Sequence, residues 1–114
     1  MADREALFAA LGSEVRLRML ELIAAHKEMC VCELVDHFDM VQSAISAHLQ
    51  TLKHAGLVQD RRAGFRIFCR VVPEVMEAAF DQFRHSIRAK LELSVREDPD
   101  ARVEARLGAT APTT

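Results

Sequence analysis

The hydrophobic period of this chain changes at Gly56, and that change limits the folds open to it. Before it, Ile45, Leu49 and Leu52 recur at spacings of four and three, an inward helical stripe that Ala55-Gly56 closes. After it, residues alternate from Leu57 to Val72. Val58 to Arg61 and Phe65 to Val71 read as two strands around a turn at Arg62-Ala63-Gly64. Upstream, Leu34, Val35 and Phe38 make a shorter helix, and Asp39, three residues before Gln42, resembles a capping arrangement for the next one. Two helices joined by about three residues, then a hairpin, predict a helix-turn-helix with a β-hairpin wing.

The flanks complete that fold. Asp3 to Leu11 carries Leu7, Ala10 and Leu11 on one stripe, with Gly12 as the stop. Ser13 caps a second helix running to about Ala25, lined by Val15, Met19, Leu22 and Ile23 and widened by Leu17, Leu20 and Ala24. A last helix starts near Pro73 and reaches about Val95, with the stripe Met76, Phe80, Phe83, Ile87 and Leu91. The expected architecture is mostly α with a small β-hairpin wing: a winged helix-turn-helix over residues 1–96, then a disordered tail over 97–114. The three-helix core is too small to cover the last stripe. A homodimer seam is therefore expected through it, with Leu7 and Leu11 completing the seam.

A chain of 114 residues, half of them apolar, holds one domain and a real core. No apolar run reaches the length of a membrane span, and the start, Met1-Ala2-Asp3-Arg4-Glu5, does not read as a signal peptide, so no membrane partner is expected. The net charge of -2 hides a pattern: residues 1–40 sum to -4, residues 41–72 to +4 and residues 73–114 to -2. One basic island is the footprint of a face that meets a polyanion. Opposite the Ile45 stripe lie Gln42, Ser43, Ser46, Ala47, Gln50 and Lys53, short or amide side chains that let a helix approach base edges. Arg61, Arg62 and Arg66 on the hairpin are placed to straddle phosphates or enter a minor groove. The expected partner is double-stranded DNA. His48 and His54 read as packing or end-of-helix residues. Glycine-rich phosphate loops and paired-carboxylate motifs are missing from the sequence, so catalysis is not expected.

Two runs carry a family resemblance. Leu11-Gly-Ser-Glu-Val-Arg-Leu-Arg-Met-Leu-Glu-Leu-Ile23 resembles the second helix of the ArsR/SmtB winged-helix regulators. Val41-Gln-Ser-Ala-Ile-Ser-Ala-His-Leu-Gln-Thr-Leu-Lys-His-Ala-Gly-Leu-Val58 is similar to their recognition helix and entry into the wing. The resemblance implies a cytoplasmic, homodimeric repressor that binds an inverted-repeat operator and leaves it when a metal or metalloid binds, with no organic cofactor. Glu28-Met-Cys-Val-Cys-Glu-Leu34 further resembles the thiolate motif of arsenite and antimonite sensors. Three departures stand out: Val35 occupies the place of a third cysteine, no cysteine precedes Cys30, and Asp81/His85 lack the second histidine of a zinc-type site.

Three cysteines, an odd number, read as free thiols, a metal site or redox chemistry rather than a disulfide framework. In a winged helix the short piece Met29 to Val31 would pair with the strand holding Phe68 to Arg70, and cross-strand neighbours lie about 5 Å apart. Cys69 is thereby expected to join Cys30 and Cys32 in a three-thiolate site. Such a site suits As(III) or Sb(III) as inducer better than four-coordinate Zn²⁺. His26 and His37 are further candidate ligands. A thiol-redox or Cd/Pb sensor is the alternative.

Overall fold

The computed structural model describes residues 3–97. In chain order these form α1 (Arg4–Leu11), α2 (Glu14–His26), β1 (Met29–Cys30), α3 (Val31–Val35), α4 (Gln42–His54), β2 (Val58–Ala63), β3 (Arg66–Val71) and α5 (Pro73–Glu97). The chain divides into two compact units, Met1–Ala79 and Phe80–Thr114. The expected tail lies, from residue 98 onward, outside the described residues.

Local chemistry explains most of the element ends. The Asp3 carboxylate accepts the Ala6 N–H at 3.4 Å, and the Ser13 hydroxyl accepts the Arg16 N–H at 3.3 Å, each relieving an orphan donor of a helix start. Asp39 does not cap α4. Val41 holds the N-cap position in an extended conformation, so Asp39 lies two residues outside the helix, and no side chain caps it. The Val41 carbonyl instead accepts the Ala44 and Ile45 N–H groups at 3.1 and 3.2 Å.

The wing turn also sits one residue later than expected, at Gly64-Phe65 between the paired Ala63 and Arg66. Gly64 has φ +63°, the value that a two-residue hairpin with glycine in its first central position requires. The loop registers on the one residue that adopts this conformation without strain, which leaves Arg62 and Ala63 in β2.

β3 is the central strand of an antiparallel sheet ordered β1-β3-β2. Its inner face meets Leu7 and Ala10 of α1, Met19, Leu20 and Ile23 of α2, Leu34 of α3, and Ile45, Leu49 and Leu52 of α4 in one core that includes Met29, Leu57, Val58 and Cys69. Burying each large apolar side chain contributes about 1.5–3 kcal/mol. Leu7, expected to complete the dimer seam, is only 2% exposed and belongs to this core. Leu11 and Met76 likewise pack against the core of their own chain. In the second unit, Phe80, Phe83, Ile87 and Leu91 keep about half of their surface exposed, as does Leu93. Among the described residues no helix is long and apolar enough to cross a membrane.

Candidate thiol site and nucleic-acid interface

β1 pairs with β3 as expected, but the register separates the cysteines. Met29 lies opposite Cys69 and Cys30 opposite Phe68. Successive strand residues point to opposite faces, so Cys69 shares the inner face with Met29, while Cys30 shares the outer face with Phe68. Cys69 is 1% exposed, and its thiol donates to the Asp60 Oδ1 at 3.4 Å. Burial, followed by the neighbouring Asp60 carboxylate, pushes this thiol up to about 11. Cys69, expected as a third thiolate, is thus buried in the core on the face of the sheet opposite to that of Cys30. Among the described residues, no three His, Cys, Asp or Glu side chains converge on a metal position.

Cys30 and Cys32 do converge. β1 ends at Cys30 and α3 starts at Val31, and at this strand-to-helix corner the two residues have Cα atoms 5.4 Å apart with their sulfurs joined as a disulfide. Of the three cysteines, Cys69 alone is free. Residues i and i+2 around a corner point their side chains together, whereas along a regular strand they would lie about two rises apart. Cys30 is buried and Cys32 exposed, so the pair opens to solvent on one side. The Cys30 N–H donates to Glu33 Oε1 at 3.0 Å, fixing the start of α3. His26 and His37 face one another, ring centroids 5.8 Å apart, and His26 Nδ1 lies 3.0 Å from the Leu22 carbonyl oxygen.

The polar face of α4 is laid out as its stripe requires. Gln42, Ser43, Ser46, Ala47 and Gln50 are exposed, opposite the buried Ile45, Leu49 and Leu52. Gln50 Nε2 lies 3.1 Å from His54 Nε2. Lys53 is half-buried, its Nζ 2.9 Å from Asp60 Oδ2. His48 is held from behind: an Arg16 N–H reaches its Nδ1 at 3.2 Å, and the same guanidinium donates to the Ala10 and Ala9 carbonyls at the end of α1. Arginine has only donors, so His48 Nδ1 accepts and the ring proton sits on Nε2. Arg16 thus ties α1, α2 and the reading helix together.

Of the three wing arginines, Arg62 and Arg66 are exposed and make no ion pair among the described residues. Arg61 differs. Its Nε and Nη2 donate to the two Glu28 oxygens at 3.0 and 2.5 Å, and its guanidinium lies 5.2 Å from the Phe68 ring centroid. This pairing lowers the Glu28 carboxyl from its usual range. Sequence reasoning missed Arg16, Glu28 and Asp60 as residues of these sites. The partners of Arg16 and Glu28 lie 32 and 33 residues away, beyond any local pattern, whereas Asp60 meets Cys69 nine residues away across the wing hairpin.

The comparisons agree with this geometry. Residues 13–60, from the N-cap of α2 into the wing, match the family described as "Bacterial regulatory protein, arsR family". An arsenic resistance transcriptional regulator of Pseudomonas putida is 44% identical over 69 residues, which cover 60% of this chain and 54% of that protein, so the chain spans about half of it. A crystal structure of a "possible transcriptional regulator for arsenical resistance" is 33% identical, with a TM-score of 0.61 over 68% of this chain and 83% of that one. A homodimeric winged helix-turn-helix DNA-binding domain from Mycobacterium bovis is 30% identical, with a TM-score of 0.59 over 72% of this chain and 76% of that one. The matched segment holds both the exposed α4 face and the thiol corner, and the chain belongs to the ArsR family of bacterial regulatory proteins.

Proposed function

We propose that the chain is a metalloid-responsive transcriptional repressor. As a homodimer it holds an inverted-repeat operator, and it leaves when As(III) or Sb(III) is ligated by the Cys30 and Cys32 thiolates. The observation that carries this reading is the convergence of those two sulfurs at the corner between β1 and α3. The corner hydrogen-bonds to the wing through β3 and opens the first helix of the reading motif. Soft thiolates suit a trivalent, lone-pair centre, and a third donor comes from a small thiol, water or a side chain such as His37. The arsenic-resistance names of the relatives support the same inducer class. Phe80, Phe83, Ile87 and Leu91 form the proposed dimer seam, in keeping with the homodimeric M. bovis domain.

In the dithiol state, which a small thiol reaches by reducing the Cys30–Cys32 bond and leaving as its own disulfide, Gln42, Ser43, Ser46, Ala47 and Gln50 enter a major groove while Arg62 and Arg66 meet the neighbouring backbone. Release requires the ligated state to bind operator more weakly, and a hundredfold difference corresponds to about 2.7 kcal/mol of coupling. The test is fluorescence anisotropy on a duplex selected by the protein from a random pool, with a phosphine reductant and each of arsenite, antimonite, Cd²⁺ and Pb²⁺. Sedimentation of the same samples reads the dimer. Arsenite or antimonite should release the duplex at lower concentration than either divalent ion; preferential release by Cd²⁺ or Pb²⁺ would reassign the inducer.

The disulfide itself favours a second reading, a thiol-redox sensor at the same corner. That reading requires peroxide or diamide to release the duplex with no metalloid present.

A further inference from the structure

The pairing of Arg61 is unexpected for a wing arginine of a DNA-binding face. Both arms of its guanidinium are taken by Glu28, and its plane lies by the Phe68 ring. Phe68 in turn is the cross-strand neighbour of Arg61 on one side and of Cys30 on the other, so Cys30, Phe68 and Arg61 form one row across the outer face of the sheet. Glu28 stands one residue before β1 and two before Cys30, and on the far side of the corner Glu33 takes the Cys30 N–H. The thiol corner is therefore held at both ends, and one of those holds is a wing residue.

We propose that Glu28 and Arg61 are positioning residues that couple ligation at the Cys30–Cys32 corner to the wing, rather than direct contacts to DNA. This rests on the metalloid-repressor reading and supplies its regulation. β1 has only two residues and no slack, so a backbone change that seats a third ligand beside the two sulfurs displaces Glu28. Arg61 then either follows, re-aiming the wing that carries Arg62 and Arg66, or lets go. Either response makes the wing of the ligated state different from that of the free state. A difference of that kind lets an inducer change operator affinity without touching DNA.

The test compares wild type, Glu28→Gln, Arg61→Gln and the double variant under a phosphine reductant, reading operator affinity with and without saturating arsenite. Wild type should lose affinity by a factor within the usual range of about 5–150. A solvent-facing ion pair is a weak link, so each single variant should shrink that factor by about threefold to fivefold. The double variant should shrink it no further than either single one. Arg61→Lys, which keeps the charge but loses the two-armed geometry, should fall between. Reciprocity adds a second readout: operator DNA should weaken arsenite binding by the same factor, again reduced in Glu28→Gln. A pair that merely stabilised the fold would lower the melting temperature and leave the factor untouched; that result, or single effects that multiply in the double variant, overturns the proposal alone. A wild-type protein that keeps its operator at saturating arsenite overturns the metalloid reading and this proposal together.

Discussion

Two rows of side chains cross the same three strands one residue apart, and they have opposite chemistry. The inner row, Met29, Cys69 and Asp60, faces the helical core and ends at the ion pair between Asp60 and Lys53 of α4. The outer row, Cys30, Phe68 and Arg61, faces away from that core and ends at Glu28. Each row holds one cysteine. In the inner row, burial keeps the thiol protonated and turns it into a small apolar residue with one hydrogen bond. In the outer row the cysteine meets a second sulfur beside solvent. The alternation of a β-strand decides which cysteine is buried against the helices and which meets a second sulfur.

The largest effect that could break this comparison is the loss of inducer response. Cys30→Ser and Cys32→Ser should each abolish arsenite-induced release while leaving operator affinity within about threefold, because a hydroxyl has the size but not the softness of a thiolate. Cys69→Ser should keep releasing. An unresponsive but folded Cys69→Ser protein would show that β3 turns its other face to the corner when the ligand binds. X-ray absorption of the arsenite complex should then count the sulfur neighbours directly.

A smaller effect tests the far end of the inner row. Asp60 holds Lys53 beside the face proposed to read DNA, so Asp60→Asn should free that cation for a phosphate. Affinity should rise for operator and random duplex alike, with the salt dependence steeper by about one unit of slope. Arg62→Ala should make it shallower by a similar amount. An unchanged slope in Asp60→Asn would place Lys53 off the DNA.

The smallest effect is in pH. Below about 9 the Cys69 thiol is protonated both folded and unfolded, and its contribution to stability is fully present. As pH rises toward about 11, the unfolded chain ionises this group while the fold still holds it neutral, so the unfolded state binds fewer protons and stability falls through that window. Chemical denaturation from pH 8.5 to 11 should show this fall in wild type and a shallower one in Cys69→Ser. Equal slopes would mean that water reaches the thiol in the folded state.

Much of this molecule is written in local pattern. The 3.6-residue stripe of Ile45, Leu49 and Leu52, the alternation after Leu57, the hydroxyl and carboxylate caps at Ser13 and Asp3, and Gly64 in the wing turn are short-range consequences of residue type, so helices, hairpin and the exposed polar face of α4 could be placed from sequence. The basic island and the Cys-Val-Cys motif were legible for the same reason. Tertiary structure alone decided the register of β1 on β3, which moved Cys69 from the expected site into the core, because one residue of slip exchanges the faces of a strand. It likewise decided that Arg61 pairs with Glu28 and that Leu7 is buried in the core of its own chain. These three depend on which elements meet across tens of residues, and periodicity carries no record of that distance; Lys53 and Asp60, seven residues apart, meet across the short link from α4 to β2.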